Sequence, residues 1–174
     1  MMELKYYEIL RLNKELKNNF QSRSFSITVL SNIIVHQIKE ILEYILRCEV
    51  INANVGFGDY DNIVQDSEKY NSSNVVIIFW ELCNIIDGLQ YKAELLDKNQ
   101  LDAIFEKAKA EIDLVLKNLN KMSLVLLNKF TSLSFSISNI KKNNLELLAI
   151  QLNHYLEENI SANVRLVDID KIIA

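Results

Sequence analysis

The sequence predicts a three-layer α/β/α domain on a five-stranded parallel sheet, preceded by a separate N-terminal helix. Three observations carry that reading. Strand-like runs alternate with amphipathic helical stretches, and strands joined through helices run parallel because each crossover returns the chain to the same end of the sheet. One run, residues 75–80 (Val-Val-Ile-Ile-Phe-Trp), is apolar on both faces, as a central parallel strand is. At 174 residues, with 49% hydrophobic and 24% charged residues, the chain fits one domain with an ordinary core.

Residues 2–19 read as the leading helix: Leu4, Tyr7 and Leu10 recur at helical spacing, and Lys5, Glu8, Lys14 and Glu15 take the other side. A polar stretch leads into the first strand, 25–30, which is rich in β-branched and aromatic residues. Residues 1–23 are thus helix and linker, and 24–174 the α/β domain. In the next helix Ile38, Ile41, Leu42, Ile45 and Leu46 form one apolar stripe. Lys39, Glu40, Glu43 and Arg47 lie opposite, a face expected to be solvated. The second strand, 50–55, runs into Gly56-Phe57-Gly58-Asp59-Tyr60, and a short helix covers 62–70. After the central strand one long helix is expected over 91–119, with Leu101, Ile104, Phe105, Ala108, Ile112 and Leu116 on one side. A strand at 123–127, a helix at 141–158 and a strand at 164–168 complete the order. Residues 130–137 alternate apolar and polar side chains, which fits a small edge strand, a loop over the site or, with the aromatics exposed, a docking surface.

Composition excludes several classes. The net charge is −4, from 19 basic and 23 acidic residues spread along the chain, so the clustered basic footprint of a nucleic-acid binder is absent. The apolar runs are too short to span a bilayer, and the first residues carry no apolar signal region; a cytoplasmic location without a membrane partner is expected. Cys48 and Cys83 are isolated and expected as buried thiols rather than a disulfide or a zinc site. No metal or cofactor is expected, and the sequence carries no signal for oligomeric state.

In an open parallel sheet, ligands bind outside the carboxyl ends of the strands, near the point where strand order reverses. The residues there are Ser31 and Asn32 after the first strand, Gly56, Gly58 and Asp59 after the second, Trp80, Glu81 and Asn84 after the third, Asn128 after the fourth and Asp168 after the fifth. Each has a plainer reading. Ser31 and Asn32 suit a cap on the following helix, Gly56 and Gly58 suit positive φ in a tight turn, Asp59 suits a helix cap, and Trp80 suits core or pocket lining. A Gly-x-Gly without the rest of the phosphate fingerprint is weak. His36 is either a helix-start residue or a group lying over the sheet edge, and His154 reads as a half-exposed helix residue.

The segments Leu30-Ser31-Asn32, Phe57-Gly58-Asp59-Tyr60, 75–82 and Val167-Asp168-Ile169-Asp170 together resemble the N-terminal domain of FkbH-like proteins, over residues 24–172. That domain is similar to the SGNH (GDSL) hydrolase fold, a flavodoxin-like sheet. In the full-length bacterial family it precedes a haloacid-dehalogenase-type domain. That second domain takes a glyceryl unit from a phosphorylated three-carbon donor and passes it to an acyl carrier protein, in polyketide or surface-glycan pathways. The resemblance implies a domain of a larger protein, since this sequence stops before the dehalogenase-type Asp-x-Asp motif. It also implies that the carrier protein, its phosphopantetheine arm or the adjoining domain is the partner.

The hydrolase parent fold implies Ser31 as nucleophile, Gly58 as an oxyanion-hole N–H and Asn84, or less well Glu81, as the side-chain donor. It also implies an Asp-x-x-His near Asp168, and here Lys171 stands where the histidine belongs. A serine nucleophile needs a base, whereas a lysine flanked by acids stays protonated at neutral pH. The expected role is therefore a binding and positioning domain without independent catalysis. The alternatives are a serine esterase or acyltransferase acting through Ser31, and a structural domain whose pocket is filled by Trp80 or the 130–137 segment.

Overall fold

Five short parallel strands form the sheet, and their order explains why helices cover both of its faces. The computed structural model describes residues 4–20, 23–86, 88–131 and 143–173. Strands β1 (Phe25–Ser31), β2 (Ala53–Phe57), β3 (Val75–Phe79), β4 (Leu124–Asn128) and β5 (Val164–Val167) lie in the order β2-β1-β3-β4-β5. The chain steps outward from β1 to β2, then back past β1 to β3. With right-handed crossovers, that reversal puts α2 (Ile38–Cys48) on one face and α3 (Ile63–Lys69), α5 (Lys98–Asn118) and α6 (Asn144–Asn159) on the other. Helix α1 (Tyr6–Asn19) packs on α2, while α4 (Leu89–Lys92) and α7 (Ile169–Ile173) are short pieces beyond the ends of β3 and β5. The predicted fold is the one observed.

Side chains of β3 alternate between two cores, as a strand buried on both faces requires. Val76, Ile78 and Trp80 join Ile112 and Val115 of α5 and Leu148 and Leu152 of α6 in the larger core. Val75 and Ile77 join Ile27, Val29 and Val55 with Leu42 and Leu46 of α2 in the smaller one.

Boundaries depart from the sequence reading where local hydrogen bonds stop an element. The expected helix over 91–119 divides into α4, a 3₁₀ turn and α5. Asp97 makes the break: its Oδ1 accepts the Gln100 N–H at 2.9 Å and Gln100 Oε1 accepts the Asp97 N–H at 2.9 Å, a capping box that restarts the helix. Asn143 and Glu146 do the same for α6, so that helix begins at Asn144 rather than 141. The second strand begins at Ala53 rather than Val50 because 49–51 close α2. Val50 N–H reaches Arg47 O at 3.0 Å and Ile51 N–H reaches Leu46 O at 2.9 Å, the paired bonds of a Schellman cap. Val50 takes the left-handed position at φ 64°, where a β-branched residue is strained. Of the 130–137 segment, residues 132 onward lie outside the described residues.

The expected solvated face of α2 is instead half turned inward. β2 is an edge strand, and three side chains one turn apart on α2 bind its outer backbone groups. Glu43 Oε1 accepts Val55 N–H at 2.9 Å, Arg47 Nη2 donates to Ala53 O at 2.7 Å, and Lys39 Nζ donates to Val55 O. The helix thereby satisfies an edge that would otherwise offer itself to another strand. Helix α1 is locked to the same cluster: buried Asn13 accepts from Arg47 Nη1 and donates to Glu40 at 2.7 Å. Burial alone would raise the Glu43 carboxyl, but Val55 N–H, Lys39 and Arg47 together hold it below the ordinary range.

Both cysteines are free thiols. Cys48 is exposed, contrary to expectation, since it sits in the last turn of α2 on the side away from the sheet. Cys83 is half-buried beside Glu81, and burial with that carboxylate pushes its thiol up to about 11.

Arg47→Ala is expected to cost about 3–5 kcal/mol in urea denaturation, since it strands the buried Glu43 carboxylate. Because the folded-state value of Glu43 is depressed, its stabilisation is complete above the ordinary carboxylate value of 4.5 and is lost as pH falls through the lower folded value. Glu43→Gln should therefore flatten the acid limb of a stability–pH profile. Val50→Gly, at an 80%-exposed side chain, should raise stability by about 1 kcal/mol.

Candidate functional site

At the carboxyl edge, the ends of β1, β3 and β4 are joined by side-chain amides. Register places Ser31 beside Phe79, and Asn128 beside Val167. The ladder continues for one more bond, Asn32 N–H to Phe79 O at 3.2 Å. Beyond it the asparagine side chains take over. Asn32 Oδ1 accepts Glu81 N–H at 2.7 Å and Asn32 Nδ2 donates to Glu81 O at 2.9 Å. From the opposite side, Asn128 Oδ1 accepts Trp80 N–H at 2.6 Å and Nδ2 donates to Trp80 O at 3.0 Å. Both asparagines are buried, and each amide imitates the backbone of a neighbouring strand. Asn84 Nδ2 closes the row by donating to Asn32 O at 2.8 Å. Trp80 is 4% exposed and packs near Phe130, whose own N–H and C=O are held at 2.8 Å by Asn153 of α6.

The structure thus brings Asn32, Trp80, Glu81, Asn84 and Asn128 together, with Ser31 alongside. Neither Ser31 nor Asn32 caps the next helix, which starts only at Ile38. Ser31 is half-buried, and its hydroxyl donates to Ile33 O at 3.0 Å. His36 is exposed and lies against Phe57, with the ring centroids 4.7 Å apart and the planes tilted by 37°. His154 is well exposed on α6 and lies 3.4 Å from Glu158.

The loop after β2 is organised by a residue the sequence reading missed. Asp66 of α3 is 1% exposed and accepts Asp59 N–H at 2.6 Å and Asn62 Nδ2 at 3.1 Å. Gly58 lies directly against it: an added Cβ would meet Leu30 Cδ2 at 2.8 Å and Asp66 Cγ at 3.2 Å. Close approach requires this glycine, whereas the only described glycine with positive φ is Gly88. The Gly58 N–H donates to Val29 O at 2.9 Å within the ladder. The Asp59 carboxylate is exposed, 3.7 Å from Lys69. The signal for Asp66 was its place four residues after Asn62, a polar pair on one face of a helix that starts at the strand edge.

Asp168 and Lys171 sit at the far side. Lys171 Nζ is 3.2 Å from Asp168 Oδ2, and Lys129 Nζ is 3.8 Å from the same oxygen. Burial is the largest single effect on Asp168 and would raise its carboxyl, but the hydrogen bonds and charge of Lys171, with the charge of Lys129, together hold it below the ordinary value. β5 is three strands from β1, about 14 Å at ordinary strand spacing. Among the described residues, no group of three His, Cys, Asp or Glu is placed to hold a metal. The edge carries the Ser31 hydroxyl, the Asp59 carboxylate, the Asn84 amide and the His36 imidazole, but the Ser31 hydroxyl donates to Ile33 O and His36 lies against Phe57.

Fold and edge together define a doubly wound, flavodoxin-like α/β domain. No family model and no curated protein matches the chain. Among solved structures it is similar to the N-terminal part of the protein BF1531 from Bacteroides fragilis, containing a phosphatase domain complexed with Mg. The TM-score is 0.73 at 12% identity, over 98% of this chain. This chain spans 46% of that one, and at such identity the likeness is one of fold.

Asn32→Asp and Asn128→Asp each keep an acceptor for the strand N–H but turn a carboxylate oxygen toward a carbonyl. Each should cost about 2 kcal/mol or more in urea denaturation, as much as the Ala variants. Gly58→Ala should cost about 1–3 kcal/mol by overpacking against Leu30 and Asp66.

Proposed function

We propose that this chain is the binding and positioning domain of an FkbH-like protein, working in the bacterial cytoplasm beside a haloacid-dehalogenase-type catalytic domain. It holds an acyl carrier protein, or that protein's phosphopantetheine arm, while the neighbouring domain loads a glyceryl or related acyl unit. The observation that carries the reading is the state of Ser31, whose hydroxyl donates to the Ile33 carbonyl rather than to a base. Lys171, at the position of the missing histidine, is ion-paired with Asp168 at the other side of the sheet. Of the oxyanion candidates, Gly58 N–H is engaged by Val29 O and Asn84 Nδ2 donates to Asn32 O. The fold likeness to a phosphatase-containing protein, of which this chain spans about half, supports the pairing with a second domain.

A structural role is the second reading, favoured by the burial of Trp80 and Phe130 where a pocket would otherwise lie. Two measurements separate the possibilities. Intact-mass analysis after fluorophosphonate treatment should show no adduct, on wild type or on Ser31→Ala. A single adduct lost in the variant would establish an activated serine and an esterase or acyltransferase instead. Titration of isotope-labelled protein with the apo and phosphopantetheinyl forms of an acyl carrier protein should shift the amides of Ser31, Asp59 and Asn84 with the second form. No shift with either form would favour the structural reading.

A further inference from the structure

A groove runs along the outer face of the large helical layer, between α5 and α6. Two cavities of ≈ 310 and ≈ 550 Å³ share Asp102 and Gln151 and so form one trough. Its floor is apolar: Leu101 and Phe105 come from α5, Leu147 and Tyr155 from α6, and Leu147 is 44% exposed. Its rim is acidic. Asp102 and Glu106 lie one turn apart on α5 and Glu158 faces them from α6, against Lys98 in the lining and Lys109 beside Glu106.

The charges around the trough are loosely held. Glu106 is 3.6 Å from Lys109 and Glu158 is 3.4 Å from His154, both acids being more than 60% exposed. Such pairs are weak and give way to a competing cation. Lys109 also lies over the Tyr155 ring, 5.1 Å from its centroid, so one face of the trough already accommodates an ammonium group on an aromatic surface. The Tyr155 hydroxyl donates to Asp113, and burial with that carboxylate raises it to about 12. Between Asn144 and Glu158 the trough is about 20 Å long at helical rise, the length of a four-turn helix.

We infer that the α5–α6 groove docks a cationic amphipathic helix of a partner protein, with leucine-like side chains on the floor and lysine or arginine against Asp102, Glu106 and Glu158. Helix-in-groove recognition uses this combination of an apolar trough and a charged rim of opposite sign. The surface is separate from the carboxyl edge and does not rest on the role proposed for that edge.

The test uses fluorescence anisotropy with two labelled 14-residue helices of identical pattern, one leucine–lysine and one leucine–glutamate. The lysine peptide should bind at least tenfold more tightly. Glu106→Lys with Glu158→Lys should weaken it at least tenfold, and both sites are exposed enough to leave the fold intact, as circular dichroism would verify. A control of equal charge change elsewhere, Glu49→Lys with Glu68→Lys, should leave binding within twofold of wild type. Equal binding of the two peptides, or an equal loss in the control, would overturn the inference. So would a concentration-dependent dimer of the protein alone that the Glu106/Glu158 variant abolishes, because the groove would then seat a second copy.

Discussion

A strand that leaves a sheet must hand its last N–H and C=O to some partner, and at the exit of β3 that partner is a pair of asparagine side chains. Asn32 holds Glu81 from the β1 side and Asn128 holds Trp80 from the β4 side. Unmet, these buried groups would each cost about 1–3 kcal/mol. Met, they fix the direction in which the chain departs, and so the position of Trp80 in the core and of Asn84 at the surface. The same device recurs where Asn153 holds Phe130, and where Asn163 Nδ2 donates to Leu119 O and Met122 O at 3.0 Å. Side-chain amides extend the sheet beyond the strands themselves.

This arrangement bears on function because it uses the polar groups that a catalyst would need free. The reversal of strand order lies between β1 and β3, where a ligand crevice forms in related architectures. Here Asn32 bridges that crevice and Ser31 turns its proton to a neighbouring carbonyl. Of the buried charges, Asp66 organises the loop after β2 at this edge, while Glu43 and Arg47 lie on α2, where with Lys39 they close the β2 edge and Asn13 ties α1 to them.

The sheet, its parallel sense and the layers were legible because they rest on periodicity: 75–80 is apolar throughout, and the helices carry their stripes. Less legible were the points where one side chain decides. Asp97 looks like any acid in a polar stretch, yet its capping box divides a helix that the apolar spacing alone would continue. The Lys39–Glu43–Arg47 row reads as a solvated face because single-helix spacing cannot show that an edge strand lies beside it. At the candidate site, sequence position located the strand-end residues correctly on the carboxyl edge. It could not tell that Asn32 and Asn128 bind backbone, or that Gly58 is required by Asp66 rather than by its own φ.

The claim that the amide clamps govern the carboxyl edge is tested most directly by native-state hydrogen exchange at the Trp80 and Glu81 amides. If the clamps hold, both amides exchange as slowly as that of Ile78 within β3, and Asn32→Ala releases Glu81 while leaving Trp80 protected. Exchange of both at the rate of open loop amides in the wild-type protein would contradict the account, because the exit of β3 would then be set by something other than these two asparagines.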